Sequence, residues 1–131
     1  MTEPLPPAPV RRPRVVLIDD DAGVRRSLQL LLHWRGFDVR SFGTAAPVLS
    51  AHAADDTDVL ITDYLLPDSD GIAVLETLRG RGWRGRAILI TAFPSAALIE
   101  RARASGFVAL LEKPIQQHAV IATIGVLPRT P

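Results

Sequence analysis

The sequence predicts an α/β domain, a doubly wound parallel sheet of five βα units. Three observations predict it. Short runs at 15–18, 59–62, 87–90 and 108–111, apolar but for Thr62, read as strands, the first as one buried on both faces. Each is followed by a stretch with helical rather than alternating periodicity. The connections are short and marked by glycine, proline or a capping side chain. Such alternation implies parallel strands joined by right-handed crossovers, with helices on both faces.

Each element has a local cause. Residues 15–18 are continuously apolar and form the first strand. Over 22–35, Val24, Leu28, Leu31 and Leu32 recur at helical spacing, with Arg25, Arg26, Gln29 and His33 on the polar face. Gly36 is placed to end that helix. Phe37, Val39 and Ser41 alternate through a second strand, 37–42. Thr44 can cap a short helix reaching about residue 53. Residues 59–62 form the third strand, and Asp70 can cap a helix carrying Ile72, Leu75 and Leu78. Glycine-rich 80–85 breaks the chain before the fourth strand, 87–90. An alanine-rich helix over 95–105 is closed by Gly106. A fifth strand, 108–111, leads to a last helix, 115–127. Phe42 and Trp34 read as core or edge packing. His33, His52 and His118 have no mutual spacing for metal binding and read as surface or packing residues.

The chain has 131 residues, enough for one domain with a core that needs no staples. Its formal net charge of +1 points to neither a nucleic acid nor a membrane partner. The absence of cysteine excludes disulfides, thiolate metal sites and thiol nucleophiles, and fits a cytoplasmic protein. No apolar run approaches the roughly 18–20 residues that cross a bilayer. Residues 1–13 contain Pro4, Pro6, Pro7, Pro9 and Pro13 and few large apolar side chains, so they read as a disordered arm. The expected organisation is this arm, a domain over 14–127 and a tail over 128–131. That tail is a natural end or the stub of a linker. Nothing after Leu127 in this sequence has room for an output domain; with a natural end a signal would pass through protein contacts, and with a linker stub an output domain would follow.

In an open parallel sheet, ligands bind beyond the carboxyl ends of the strands. The first strand ends in Asp19, Asp20 and Asp21, the third in Asp63, the fourth in Thr91, and the fifth runs into Glu112 and Lys113. Asp21 reads as an acid that complements the dipole at a helix N-terminus. Asp19 and Asp20 leave an apolar strand beside Asp63, and crowded carboxylates of this kind suit a hard divalent cation such as Mg²⁺. A carboxylate next to a bound cation can attack phosphorus and form an acyl phosphate. Asp63 is the candidate nucleophile, with Thr91 supplying a hydroxyl and Lys113 a cation to the phosphoryl oxygens. Of 15 basic residues only Lys113 is lysine, which points to a place where a compact ammonium fits and a guanidinium does not.

These residues resemble the response-regulator receiver family over roughly 15–127. Val15, Val16, Leu17, Ile18, Asp19 and Asp20 resemble its first strand and acidic pair, and Val59, Leu60, Ile61, Thr62 and Asp63 its acceptor strand. Asp63, Pro67 and Gly71 match its D-x-x-x-P-x-x-x-G signature. Ile90, Thr91 and Ala92 match its hydroxyl-bearing strand end, and Glu112, Lys113 and Pro114 its lysine–proline step. The resemblance implies a flavodoxin-like fold with strand order 2-1-3-4-5. It implies a two-component switch phosphorylated at Asp63 by a histidine kinase or phosphotransfer protein, with no turnover of other substrates. It implies Mg²⁺ held by Asp20 directly, by Asp19 mainly through water, by Asp63 and by the backbone carbonyl of Leu65. It also implies that Leu65 and Phe93 flank the path of the hydrolytic water. A cis bond before Pro114 is common in the family. Leu110 stands at the switch position, where the family usually has a reorienting Tyr or Phe.

The resemblance further implies a partner or homodimer face made by the helix from Ala96 to Ala104, the strand from Val108 to Leu111 and the helix from Ile115 to Leu127. On the last helix, Ile115, Ala119, Ala122 and Val126 form one apolar stripe. Val120, Ile124 and Leu127 form a second, which is either covered by a neighbouring helix or the chain end, or free as part of a partner face. Two rival readings exist. A haloacid-dehalogenase-type phosphatase would use Asp19 and Asp21, but Gly23 does not fit its motif and no late acidic pair or cap region follows. A pseudo-receiver would only bind partners, against which the full set of Asp20, Asp63, Thr91 and Lys113 argues.

Overall fold

The structure is a computed structural model and describes residues 3–5, 11–50 and 52–125. Strands and helices alternate as β1 Arg14–Ile18, α1 Ala22–Trp34, β2 Asp38–Phe42, α2 Ala46–Leu49, β3 Val59–Asp63, α3 Gly71–Gly80, β4 Arg86–Thr91, α4 Ala96–Ser105, β5 Ala109–Glu112 and α5 Gln117–Gly125. All strand pairs are parallel, in the order β2-β1-β3-β4-β5. The expected architecture and strand order are therefore those observed. The order reverses at β1 and β3, which opens a crevice at their carboxyl ends.

Alternation along the buried strands divides the core in two. Val15 and Leu17, Val59 and Ile61, and Ile88 and Ile90 face one side, where Leu28 and Leu32 of α1 meet Val120 and Ile124 of α5. Val16 and Ile18, Leu60, and Ala87 and Leu89 face the other, against Val48 of α2, Leu75 and Leu78 of α3, and Leu98 and Ala102 of α4. Burying a side chain such as Leu32 completely contributes ~1.5–3 kcal/mol.

The helix starts follow capping chemistry. The Asp21 carboxylate accepts from the N–H groups of Gly23 and Val24 at 2.9 and 3.1 Å. Asp70 accepts from the Ala73 N–H at 2.8 Å, and the Ser95 hydroxyl from the Leu98 N–H at 3.0 Å. Gly106 closes α4 with φ +106°, a left-handed conformation that glycine adopts without Cβ strain.

Several expectations are corrected. The helix expected from Thr44 to about 53 is only α2, four residues long. Its cap is not Thr44 but Asp68, which accepts from the Ala45 and Ala46 N–H groups, both at 2.9 Å. Trp34 is not packed: it is 80% exposed on the outer face of α1, edge-on to His33. β5 begins at Ala109 and includes Glu112, one residue later than expected. On α5 the second stripe is not free, because Val120 and Ile124 are core. Val126 and Leu127 lie outside the described residues, as do the tail 128–131 and residues 1–2 and 6–10 of the arm. Residues 3–5 and 11–13 carry no helix or strand, although Arg11 reaches both carboxylate oxygens of Asp58 at 2.9 and 3.0 Å. No helix among the described residues is long and apolar enough to cross a membrane.

Candidate functional site

The parallel register builds the site. Ile18 lies opposite Thr62, so Asp19 leaves β1 beside Asp63 at the end of β3. Asp63 in turn faces Ile90 of β4, and the next residue, Thr91, faces Glu112 of β5. The Lys113 N–H donates to the Thr91 carbonyl at 2.8 Å, which ties the last two strand ends together. The Lys113–Pro114 peptide is cis.

Three carboxylates meet in this crevice. Asp19, Asp20 and Asp63 each offer a carboxylate oxygen within 4.8 Å of the others. Asp19 is fully buried, Asp63 is 7% exposed, and Asp20 is open to solvent. Lys113 is the cation in the cluster. Its Nζ donates to Asp63 Oδ2 at 2.7 Å and lies 3.1 Å from Asp19 Oδ2. Thr91 is 4% exposed, and its hydroxyl oxygen accepts from the Phe93 N–H at 3.2 Å. The sequence-selected Asp19, Asp20, Asp63, Thr91 and Lys113 thus sit at neighbouring strand ends. Asp21 turns away to cap α1.

The electrostatics follow from burial. Desolvation pushes the Asp19 carboxyl above its ordinary value; the hydrogen bond from the Asp21 N–H and the Lys113 ammonium offset only part of that. For Lys113 burial acts downward, but hydrogen bonds to Asp63 and Asp19 and their charges outweigh it and hold the ammonium above its ordinary value. Three carboxylates therefore share one ammonium. Asp19 Oδ2 is buried and accepts no hydrogen bond among the described residues. A buried carboxylate oxygen whose one polar neighbour is a shared ammonium at 3.1 Å, with no hydrogen bond of its own, fits a hard divalent cation, for which oxygen donors with room for water are the natural set.

Leu65 and Phe93 stand at the mouth, 64% and 82% exposed. Leu110 is half-buried and packs against the core on the α3 and α4 side. Gly71 is the glycine of the spaced signature, and the structure supplies its cause. A Cβ there would lie 2.6 Å from the Asp63 carbonyl oxygen, 2.7 Å from Leu89 Cδ1 and 2.9 Å from Thr62 Cγ2. Any side chain at 71 would displace the acceptor strand.

Sequence reasoning missed three residues near the site. Asp68 caps α2 from the β3–α3 loop. Tyr64, next to Asp63, is bonded to Arg101 of α4. Arg25 of α1 donates to the Asp19 carbonyl. Only Asp68 carried a sequence signal, as a capping residue type with no helix following directly.

The profile of the response regulator receiver domain family matches residues 15–125. The transcriptional regulatory protein FixJ of Azorhizobium caulinodans is 34% identical over 110 residues, covering 84% of this chain and 52% of FixJ. The response regulator MprA of Mycobacterium tuberculosis is 30% identical over 116 residues, covering 88% of this chain and 50% of MprA. The chain thus spans about half the length of these curated relatives. Among solved structures, Vibrio cholerae chemotaxis protein CheY4 superposes with a TM-score of 0.83 at 19% identity, covering 90% of this chain and all of that one. The Francisella response regulator 1452 receiver domain gives 0.81 at 24%, covering 88% of this chain and 96% of that one. At these identities the structures attest the fold.

Proposed function

The chain belongs to the response regulator receiver family, and from that premise we propose that it is a signalling switch set by phosphorylation of Asp63. One observation carries the reading: the Asp63 carboxylate lies in a three-acid cluster with the Lys113 ammonium 2.7 Å away. Asp19, Asp20, Asp63 and the Leu65 carbonyl would hold Mg²⁺, which offsets charge that builds on the transferring phosphoryl oxygens. A carboxylate oxygen of Asp63 forms the new bond to phosphorus. The bond from phosphorus to the donor breaks, and its electron pair leaves with the donor's histidine nitrogen. Thr91 donates its hydroxyl hydrogen to one phosphoryl oxygen, and Lys113 exchanges its contact with Asp63 for another. The buried setting of Asp19 and Thr91 strengthens these contacts relative to water.

The donor is a histidine kinase or a histidine phosphotransfer protein. The protein works in the cytoplasm as a receiver over 14–127, between an N-terminal arm and a C-terminal tail. Its output runs through protein contacts, as a homodimer or with an output partner, at the face of α4, β5 and α5. Ile99 and Val108, 49% and 52% exposed, supply the apolar part of that face. The phosphatase alternative is disfavoured by Asp21, whose carboxylate is committed to the helix cap.

The test is intact mass after treatment with acetyl phosphate and Mg²⁺. The expected result is a gain of one phosphoryl group per chain, absent without Mg²⁺ and absent in Asp63→Asn. A gain that persists in Asp63→Asn overturns the assignment.

A further inference from the structure

We infer that Arg25 is a positioning residue for the acidic pair, acting through the peptide between Asp19 and Asp20. The inference rests on the reading of Asp19, Asp20 and Asp63 as a Mg²⁺ site.

Besides its contact with Lys113, Asp19 is held at three points. Its N–H donates to the Phe42 carbonyl at 3.0 Å. Its Oδ1 accepts from the Asp21 N–H at 2.9 Å. Its carbonyl oxygen accepts from Nη1 of Arg25 at 2.6 Å, a short charge-assisted contact. Asp20 differs. It is exposed, and among the described residues no hydrogen bond reaches its carboxylate. The direction in which Asp20 points is therefore set by the backbone before it. The peptide plane entering the Asp20 Cα is the one whose carbonyl Arg25 holds.

Arg25 is well placed for the task. Its own N–H donates to the Asp21 carbonyl at 2.9 Å, so its backbone is fixed relative to the loop it steadies. Its side chain passes Gly43, just beyond β2, where a Cβ would lie 3.3 Å from Nη1. The absence of a side chain at 43 leaves the guanidinium its corridor.

A guanidinium near three carboxylates also has a Coulombic effect, and its sign is opposite. Positive charge repels an incoming divalent cation, so loss of charge alone would tighten Mg²⁺ binding. Loss of positioning weakens it. The two origins are thus separable by the direction of a single measurement.

The experiment is calorimetric titration of the full chain with MgCl₂, with thermal melts to confirm folding. Tryptophan emission is unsuitable: Trp34 faces solvent, and the Trp83 indole is bonded to the Thr57 carbonyl, before the start of β3 and away from the acidic end. Arg25→Ala is expected to weaken Mg²⁺ binding by about tenfold, the lower end of what removing the support of a metal ligand costs. Arg25→Lys should recover most of the loss. Gly43→Val, which crowds the guanidinium and keeps its charge, should weaken binding severalfold and serves if Arg25→Ala does not fold. Labelling by acetyl phosphate should fall more at low Mg²⁺ than at saturating Mg²⁺ in Arg25→Ala. Equal or tighter Mg²⁺ binding by folded Arg25→Ala, or unchanged binding by Gly43→Val, overturns the inference while the site reading stands. A wild-type chain that binds no Mg²⁺ removes the site reading and the inference with it.

Discussion

The Tyr64 hydroxyl accepts a hydrogen bond from Nη1 of Arg101 at 3.1 Å, and the guanidinium carbon lies 6.0 Å from the Tyr64 ring centre. This contact joins the residue after Asp63 to α4. The hydrogen bond to Tyr64 also holds the Arg101 guanidinium above its ordinary pKa. Leu110, by contrast, has no hydroxyl and a small apolar area to move, worth ~1 kcal/mol at ~25 cal/mol/Å².

A change at Asp63 is therefore expected to reach α4 through Tyr64 and the loop 91–93 rather than through position 110. Amide shift changes on phosphorylation should spread across 91–105 in the wild type. In Tyr64→Phe, which keeps the ring and removes the hydroxyl, those on α4 should shrink severalfold while phosphorylation at Asp63 proceeds. Two-dimensional NMR decides this. Changes confined to Leu110 contradict the route.

What was legible in the sequence, and what was not, divides along range of interaction. Apolar runs and helical spacing are local, so all five βα units could be read from them. Asp19, Asp20, Asp63, Thr91 and Lys113 were legible because each lies at, or within two residues of, the carboxyl end of a strand. The bond from Asp68 to Ala45 spans 23 residues and that from Arg101 to Tyr64 spans 37, and no local pattern carries either. Trp34 and the stripes of α5 failed for another reason. A helix with apolar residues around much of its circumference does not specify which face meets the sheet.

Asp68 makes stability depend on pH in a definable direction. The hydrogen bonds from the Ala45 N–H, and then from the Ala46 N–H, hold its carboxyl below the ordinary 3.8. A carboxyl depressed in the fold contributes stability that is fully present above its unfolded value. That contribution is lost as pH falls through the folded value. The stability difference between wild type and Asp68→Ala should therefore be constant from neutral pH down to about pH 5 and shrink below pH 4. Urea midpoints across that range measure it. A difference that grows on acidification rules the cap out as the source.

The lifetime of the phosphoryl group should be long. Neither Leu65 nor Phe93 can hydrogen-bond a water, and both stand at the mouth of the site. Positioned acid–base groups accelerate proton transfers by about 10²–10⁴, so their absence leaves hydrolysis slow. Replacing Leu65 with Asn and Phe93 with Glu should raise the rate of phosphoryl loss by about tenfold to a hundredfold. Decay of the phosphorylated mass after donor removal gives the rate. An unchanged rate in the double variant refutes the role of these two positions.

The partner face must be tested away from the core. Val120 and Ile124 are 0% and 2% exposed and pack with Leu17, Leu28 and Leu32. Ile124→Ala should therefore cost ~2–5 kcal/mol by transfer and cavity formation. Ile124→Glu would bury an unpaired carboxylate, so its loss of binding would report unfolding rather than docking. Ile99 and Val108 are about half exposed on α4 and just before β5. A charge at either position meets solvent in the free chain and should change stability by no more than about 0.5 kcal/mol. The same charge in an interface would face an apolar surface. Self-association or partner binding that strengthens on phosphorylation is expected to fall by at least about tenfold in Ile99→Glu and in Val108→Glu, a change of ~1.4 kcal/mol. Sedimentation of phosphorylated and unphosphorylated chains, alone and with a candidate kinase or output partner, measures it. Binding that is indifferent to both substitutions while melting temperatures stay at the wild-type value excludes this face, because no other large apolar side chain on α4 or β5 is open among the described residues.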